Sequence, residues 1–121
     1  MQDSRIWGTW RSDARRTARE ITAWNDIPAH KKKKLISLFG KLELRYTRTR
    51  CYATLNGQTE VLHYKVVAKD SDSIAIVSDD SLGGKPVISH IHFDGPYFWI
   101  NIGNGQLREF FKRQRAQEIR S

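Results

Sequence analysis

Residues 41–69 read KLELRYTRTRCYATLNGQTEVLHYKVVAK, and the fold turns on how this stretch is read. Leu42, Leu44 and Tyr46 alternate with Lys41, Glu43, Arg45 and Thr47, the period of a half-buried strand with a basic outer face. Residues 51–55 then run into Asn56-Gly57, a strong hairpin cue, because a two-residue turn between twisted strands needs positive φ at both central positions. Residues 60–69 follow with Leu62, Tyr64, Val66 and Ala68 on one side. Two paired antiparallel strands are expected after the strand at 41–47.

Towards the C-terminus the pattern repeats. Asp70-Ser71-Asp72 turns into a strand over residues 73–78, and the polar, glycine-bearing residues 79–86 form a loop before a strand at 87–93. Asp94-Gly95-Pro96 turns into residues 97–102, and Gly103-Asn104-Gly105 into residues 107–113. Towards the N-terminus, Ile6, Trp7, Thr9 and Trp10 around Gly8 predict a first strand over residues 5–11. The period then changes. Ser12 or Asp13 serves as N-cap, Ala14, Ala18, Ile21 and Trp24 recur at helical spacing, and Arg15, Arg16, Arg19 and Glu20 face away. Asn25, Asp26 and Pro28 stop and restart the helix, and Leu35, Leu38 and Phe39 give a second stripe ended by Gly40. A helix pair over residues 12–39 is thus inserted after strand one.

Eight short strands in hairpin succession must hide their edges, and at this size closure does so economically. The expected fold is mainly β: a small eight-stranded up-and-down antiparallel barrel with a two-helix lid across one mouth. The 121 residues make one domain over residues 1–113, and residues 114–121, which lack an apolar face, form a tail. No apolar run reaches the roughly 18 residues of a membrane span, and the first eleven residues lack a secretory apolar stretch, which predicts a soluble, cytoplasmic protein. The single Cys51 excludes an intramolecular disulfide and reads as core filler. The net charge of +8 is uneven: residues 1–50 carry +8, residues 51–105 carry −3 and residues 106–121 carry +3.

Gly8-Thr9-Trp10 on the first strand, with Arg113 closing Glu109-Phe110-Phe111-Lys112-Arg113 on the last, resembles the lipocalin pattern. There the indole packs under an arginine of the final strand and closes the barrel base. A guanidinium over an indole covers an apolar ring with a group that still meets water. Arg108 is the rival partner. The chain is shorter than lipocalins, and its helices after strand one are similar to those capping intracellular fatty-acid-binding proteins. It is identified as a small lipocalin-like, calycin-type domain of bacterial style, with Gly8, Trp10 and Arg113 structural. The resemblance implies binding of a small hydrophobic molecule inside the barrel.

No nucleophile elbow, phosphate-cradling glycine loop or paired-carboxylate arrangement is present, so the expected role is non-catalytic and needs no cofactor. The ligand-binding set expected on the inward faces is Leu44, Tyr46, Leu62, Tyr64, Ile91, Phe98 and Ile100. Bulky rings over residues 93–111 either line a pocket or fill a short barrel. Arg15, Arg16, Arg19, Lys31, Lys32, Lys33 and Lys34 form a basic lid that is either a solvated helix face or an attraction for an acidic head group. The alternative function is an interaction module whose basic surface meets nucleic acid, a lipid head group or an acidic protein, with Tyr46, Arg48, Arg50 and Tyr52 as interleaved aromatics and cations. A further alternative is a metal or haem site: His90 and His92 share one strand face about 7 Å apart, and His63 joins from a neighbouring strand.

Overall fold

A computed structural model describes residues 2–22, 28–37, 39–79, 86–102 and 107–114. A short 3-10 turn, Ser4–Ile6, precedes β1 (Gly8–Ser12). Helices α1 (Ala14–Thr22) and α2 (Ala29–Ile36) follow, then β2 (Glu43–Tyr46), β3 (Arg50–Leu55) and β4 (Gln58–Lys69). The chain continues through β5 (Ser73–Asp79), β6 (Pro86–Asp94), β7 (Tyr97–Ile102) and β8 (Leu107–Arg113). The eight strands pair in chain order, all antiparallel, and β8 returns to β1, so the sheet is a closed up-and-down barrel with the helix pair after strand one, as expected. No helix among the described residues is long and apolar enough to cross a membrane.

Register fixes which side chains enter the barrel. Trp10, Leu44, Ala53 and Glu60 stand opposite one another across β1 to β4, and Ser12, Phe111, Phe98 and Phe93 do so across β1, β8, β7 and β6. Because side chains alternate faces along each strand, these rows define the inner wall. Asn56 (φ 51°) and Gly57 (φ 80°) both have the positive φ that the β3–β4 turn requires. A register shift between Val66 and Ala68 marks a bulge in β4, and Val67 there is exposed.

The lower end, where the turns at residues 47–49, 70–72 and 95–96 lie, is plugged. Residues 4–6, expected in the first strand, instead form the 3-10 turn, because the Asp3 carboxylate accepts from the Arg5 backbone N–H and caps it. This turn pushes Ile6, fully buried, into the barrel base. Trp10 Nε1 donates to the Ile6 carbonyl at 2.8 Å, and the ring packs edge-on against Phe98 at 4.7 Å between centroids. Arg113 lies over the Trp10 ring at 4.2 Å and donates to the carbonyls of Trp7 and Arg5. Gly8 has φ of 115°, a backbone conformation that disfavours any side chain, and a Cβ there would stand 3.0 Å from Arg113 Nη1 and press on the guanidinium.

The seam between β1 and β8 is short: Trp10, Arg11 and Ser12 pair with Arg113, Lys112 and Phe111. Beyond Ser12 the chain leaves the sheet, and α1 takes over the bare edge of β8. The Asp13 N–H donates to the Phe110 carbonyl, and the Phe110 N–H donates to Thr17 Oγ1 at 3.0 Å. Thr17 is fully buried, and its hydroxyl stands in for a ladder partner. Of the two expected caps, Asp13 does the work: its Oδ1 accepts from the Arg16 N–H, while Ser12 ends β1.

The helix pair departs from the expected lid. Helix α1 packs against β8 and α2 packs against α1, so among the described residues the pair flanks the barrel wall. Arg16, expected to face away, turns to the wall and stacks at 4.1 Å on Phe110, an outward ring too apolar to leave in water. Arg15, Arg19, Lys31, Lys33 and Lys34 are exposed and Lys32 is half-buried. Trp24, Leu38 and residues 115–121 lie outside the described residues, while the Gln114 N–H still donates to the Thr9 carbonyl.

Candidate functional site: the inner wall and the outer face of strands β6 to β8

The inner wall is filled unevenly. In and just above the base, Trp10, Ile74, Ile91, Phe98 and Phe111 are at most 1% exposed, and Phe98 and Phe111 stack at 4.9 Å. Tyr46 and Tyr64 meet edge to face at 5.3 Å, and the Tyr64 hydroxyl donates to the Thr47 carbonyl. Of the seven expected ligand contacts, Tyr46, Tyr64, Ile91 and Phe98 therefore belong to packed core, as does Leu44, while Leu62 and Ile100 are half-buried beside it. Cys51 is a buried free thiol whose pKa burial pushes up to about 11, which keeps it a thiol and unreactive.

The upper end, at the β3–β4 turn and the start of α1, is different. The inward residues Leu42, Ala53 and Leu55 are only partly covered, with Leu55 46% exposed. With Gln58 and Glu60 opposite them, and Asn56 and Thr59 at the rim, they line a hollow of about 570 Å³. None of the seven expected residues lines this hollow. Sequence reasoning placed Leu42, Ala53 and Leu55 on strands and put Leu42 on the face of Leu44 and Tyr46, and the observed register brings Ala53 and Leu55 to that same inner face. The missing signal was depth, since rings near the lower turns, rather than aliphatic residues near the upper ones, are what fill the barrel.

A carboxylate also stands on the inner wall. Glu109, paired across the sheet with Ile100, is 9% exposed, and its Oε2 accepts from Ser12 Oγ at 2.7 Å. Ser12 Oγ in turn accepts from the Gly40 N–H at 3.0 Å, tying the inner wall to the segment that leads from α2 into β2. Burial raises the Glu109 pKa, partly offset by the Ser12 hydroxyl.

On the outer wall the histidines do not converge as a three-ligand site. His90 and His92 lie side by side, ring centroids 4.4 Å apart, but His63 sits two strands away on β4 opposite Arg50. Among the described residues no three of His, Cys, Asp and Glu gather as metal ligands. His92 instead stacks flat on Trp99 at 3.9 Å and 10°, and Arg108, the rival for Trp10, stands over Trp99 at 4.2 Å. Burial, then the charges of His90 and Arg108, lower the His92 pKa, favouring the neutral ring. The aromatic and cationic set expected around residues 46–52 is also rearranged. Tyr46 points inward, Arg45 takes its place by stacking on Tyr52 at 4.1 Å, and Arg48 stands over Trp7.

Comparison with known proteins gives no relative to reason from: no family model, curated protein or solved structure matches the chain.

Proposed function

We propose that this chain is a small lipocalin-like, calycin-type protein that binds a small apolar or amphipathic molecule, without catalysis, at the upper end of its barrel. The observation that carries the reading is the uneven filling. The base is buried and ring-packed, whereas the opposite end presents the inward aliphatic residues Leu42, Ala53 and Leu55 around a hollow of about 570 Å³. That size lies within the range of small-molecule sites, and partly covered apolar surface gains free energy when a ligand displaces water from it. The ringed base then acts as a floor and limits how deep the ligand goes.

The polar lining bears on the head group. The described carboxylates on the inner wall are Glu60 at the hollow and Glu109 beside the core. Their oxygens suit a hydrogen-bond-donating head group.

The test is titration with Nile red, a neutral apolar dye, with Ala53→Trp as the blocking variant. Wild type gives saturable fluorescence enhancement, and the added indole at the hollow weakens it at least about tenfold while the circular dichroism spectrum is unchanged. Absence of saturable binding, or equal binding by the variant, overturns the reading. Native mass spectrometry of freshly purified protein gives the mass of any retained molecule directly.

A further inference from the structure

The barrel's outer wall carries a second feature that ligand binding inside does not use. On β6, β7 and β8 the outward residues His92, Trp99 and Phe110 stand in one row, with His90 and Arg108 in the adjoining row. Their planes are stacked rather than splayed: His90 on His92 at 4.4 Å, His92 on Trp99 at 3.9 Å, and Arg108 on the same indole at 4.2 Å. Arg16 from α1 is held on Phe110 at 4.1 Å, and Lys112 lies outward one step further along β8. A structural core would bury such groups, yet His90, Arg108 and Lys112 are exposed and Trp99 and His92 are half-buried.

We propose that this face binds single-stranded nucleic acid, its phosphates met by Arg16, Arg108 and Lys112 and one base stacked on the outer side of His90. Three observations support that occupant. Arg108 and Lys112 lie two outward steps apart on β8, at about 7 Å per step, and Arg16 of α1 lies over Phe110 between them, so the three form a track rather than a point. Two of them are already ordered by rings, which lowers the side-chain entropy lost on contact with phosphate. The described acids of this face are Asp94, 3.9 Å from Arg16 and largely exposed, and Asp70, which is also exposed and acts on His90 and His92, against a chain of net charge +8. Cations interleaved with planar rings on the outer face of a sheet suit a flexible polyanion with flat bases, and a duplex would offer its bases no access to His90.

The experiment is fluorescence anisotropy with labelled oligouridine and oligodeoxythymidine of about 12 nucleotides, over a range of salt concentration, with polyglutamate as competitor. Arg108→Gln and His90→Ala change exposed side chains, and Lys65→Gln on β4, across the barrel, is the control. Wild type binds at least one oligonucleotide with affinity falling as salt rises. Arg108→Gln lowers the log–log salt slope by about 1, His90→Ala weakens binding roughly fivefold or more, and Lys65→Gln leaves both unchanged. A preference for oligouridine identifies RNA as the source, and equal binding leaves the sugar unread. The proposal is overturned if neither oligonucleotide binds at low salt, if Lys65→Gln is as damaging as Arg108→Gln, or if polyglutamate competes as well as unlabelled oligonucleotide. The first of these outcomes leaves Nile red uptake untouched, so the two readings fail separately.

Discussion

Replacing Arg113 by alanine tests the barrel closure at its most loaded residue. The guanidinium lies 4.2 Å from the Trp10 ring, whose indole is 1% exposed, and donates to the Trp7 and Arg5 carbonyls. A cation–π contact of this kind contributes about 0.5–2 kcal/mol. The two hydrogen bonds add about 0.5 kcal/mol each once discounted for their exposure to water. Uncovering one indole face of ~40 Å² costs about 1 kcal/mol more. Arg113→Ala should therefore destabilise the fold by about 2.5–4 kcal/mol. Arg108 provides the internal comparison, because it stands at the same 4.2 Å from an indole but on half-buried Trp99 at the outer wall. Water screens that contact, and Arg108→Ala should cost less than about 1 kcal/mol. Arg113→Lys keeps the charge but loses the planar fork, so it should fall between wild type and Arg113→Ala. Urea unfolding followed by circular dichroism reads all three. If Arg113→Ala stays within about 0.5 kcal/mol of wild type, or Arg108→Ala costs as much, the seam is not held by this stack.

Two further outcomes follow from buried polar groups at the seam. Thr17→Val keeps shape but removes the acceptor for the Phe110 N–H, which should cost about 1–3 kcal/mol and sharply raise amide exchange at Phe110 while leaving exchange in β3 and β4 near wild type. Glu109 gives a pH dependence of definite sign. Its folded pKa lies above the ordinary 4.5, so the folded state binds the proton first, and stability increases as pH falls through the folded value towards 4.5. The urea midpoint of wild type should thus gain on that of Glu109→Gln as the pH falls from neutral towards the ordinary 4.5, and parallel curves would refute the assignment. Asp3 and Asp70, whose pKa values are lowered, lose their stabilisation only around and below the ordinary 3.8, outside this window.

The strands were legible because barrel walls impose a strict alternation, and the Asn56-Gly57 turn fixed one register from which the neighbours could be counted. The 3-10 turn at residues 4–6 was not legible, since it depends on one carboxylate, Asp3, reaching back to a single N–H. Arg16 was misplaced for a related reason. Helical periodicity assigns charge to the solvent side, but Phe110 presented an outward ring, and that ring was visible only as one of a pair of adjacent phenylalanines. The inward face of every proposed pocket residue was readable from parity. Which of them sit deep was not, because depth depends on strand tilt and on what plugs the base, and neither is encoded in a single strand.

The joining of first strand to last also bears on how the protein is made. Contacts at the seam link residues 93 to 108 positions apart in the chain, among them Thr17 to Phe110 and Arg5 to Arg113. As the polypeptide leaves the ribosome, β1 emerges long before its partner, and the growing sheet carries two unpaired edges until β8 arrives. Such distant pairings form slowly. The half-made sheet is thus the form most prone to sticking to its neighbours, and a chaperone that shields strand edges would act on it then.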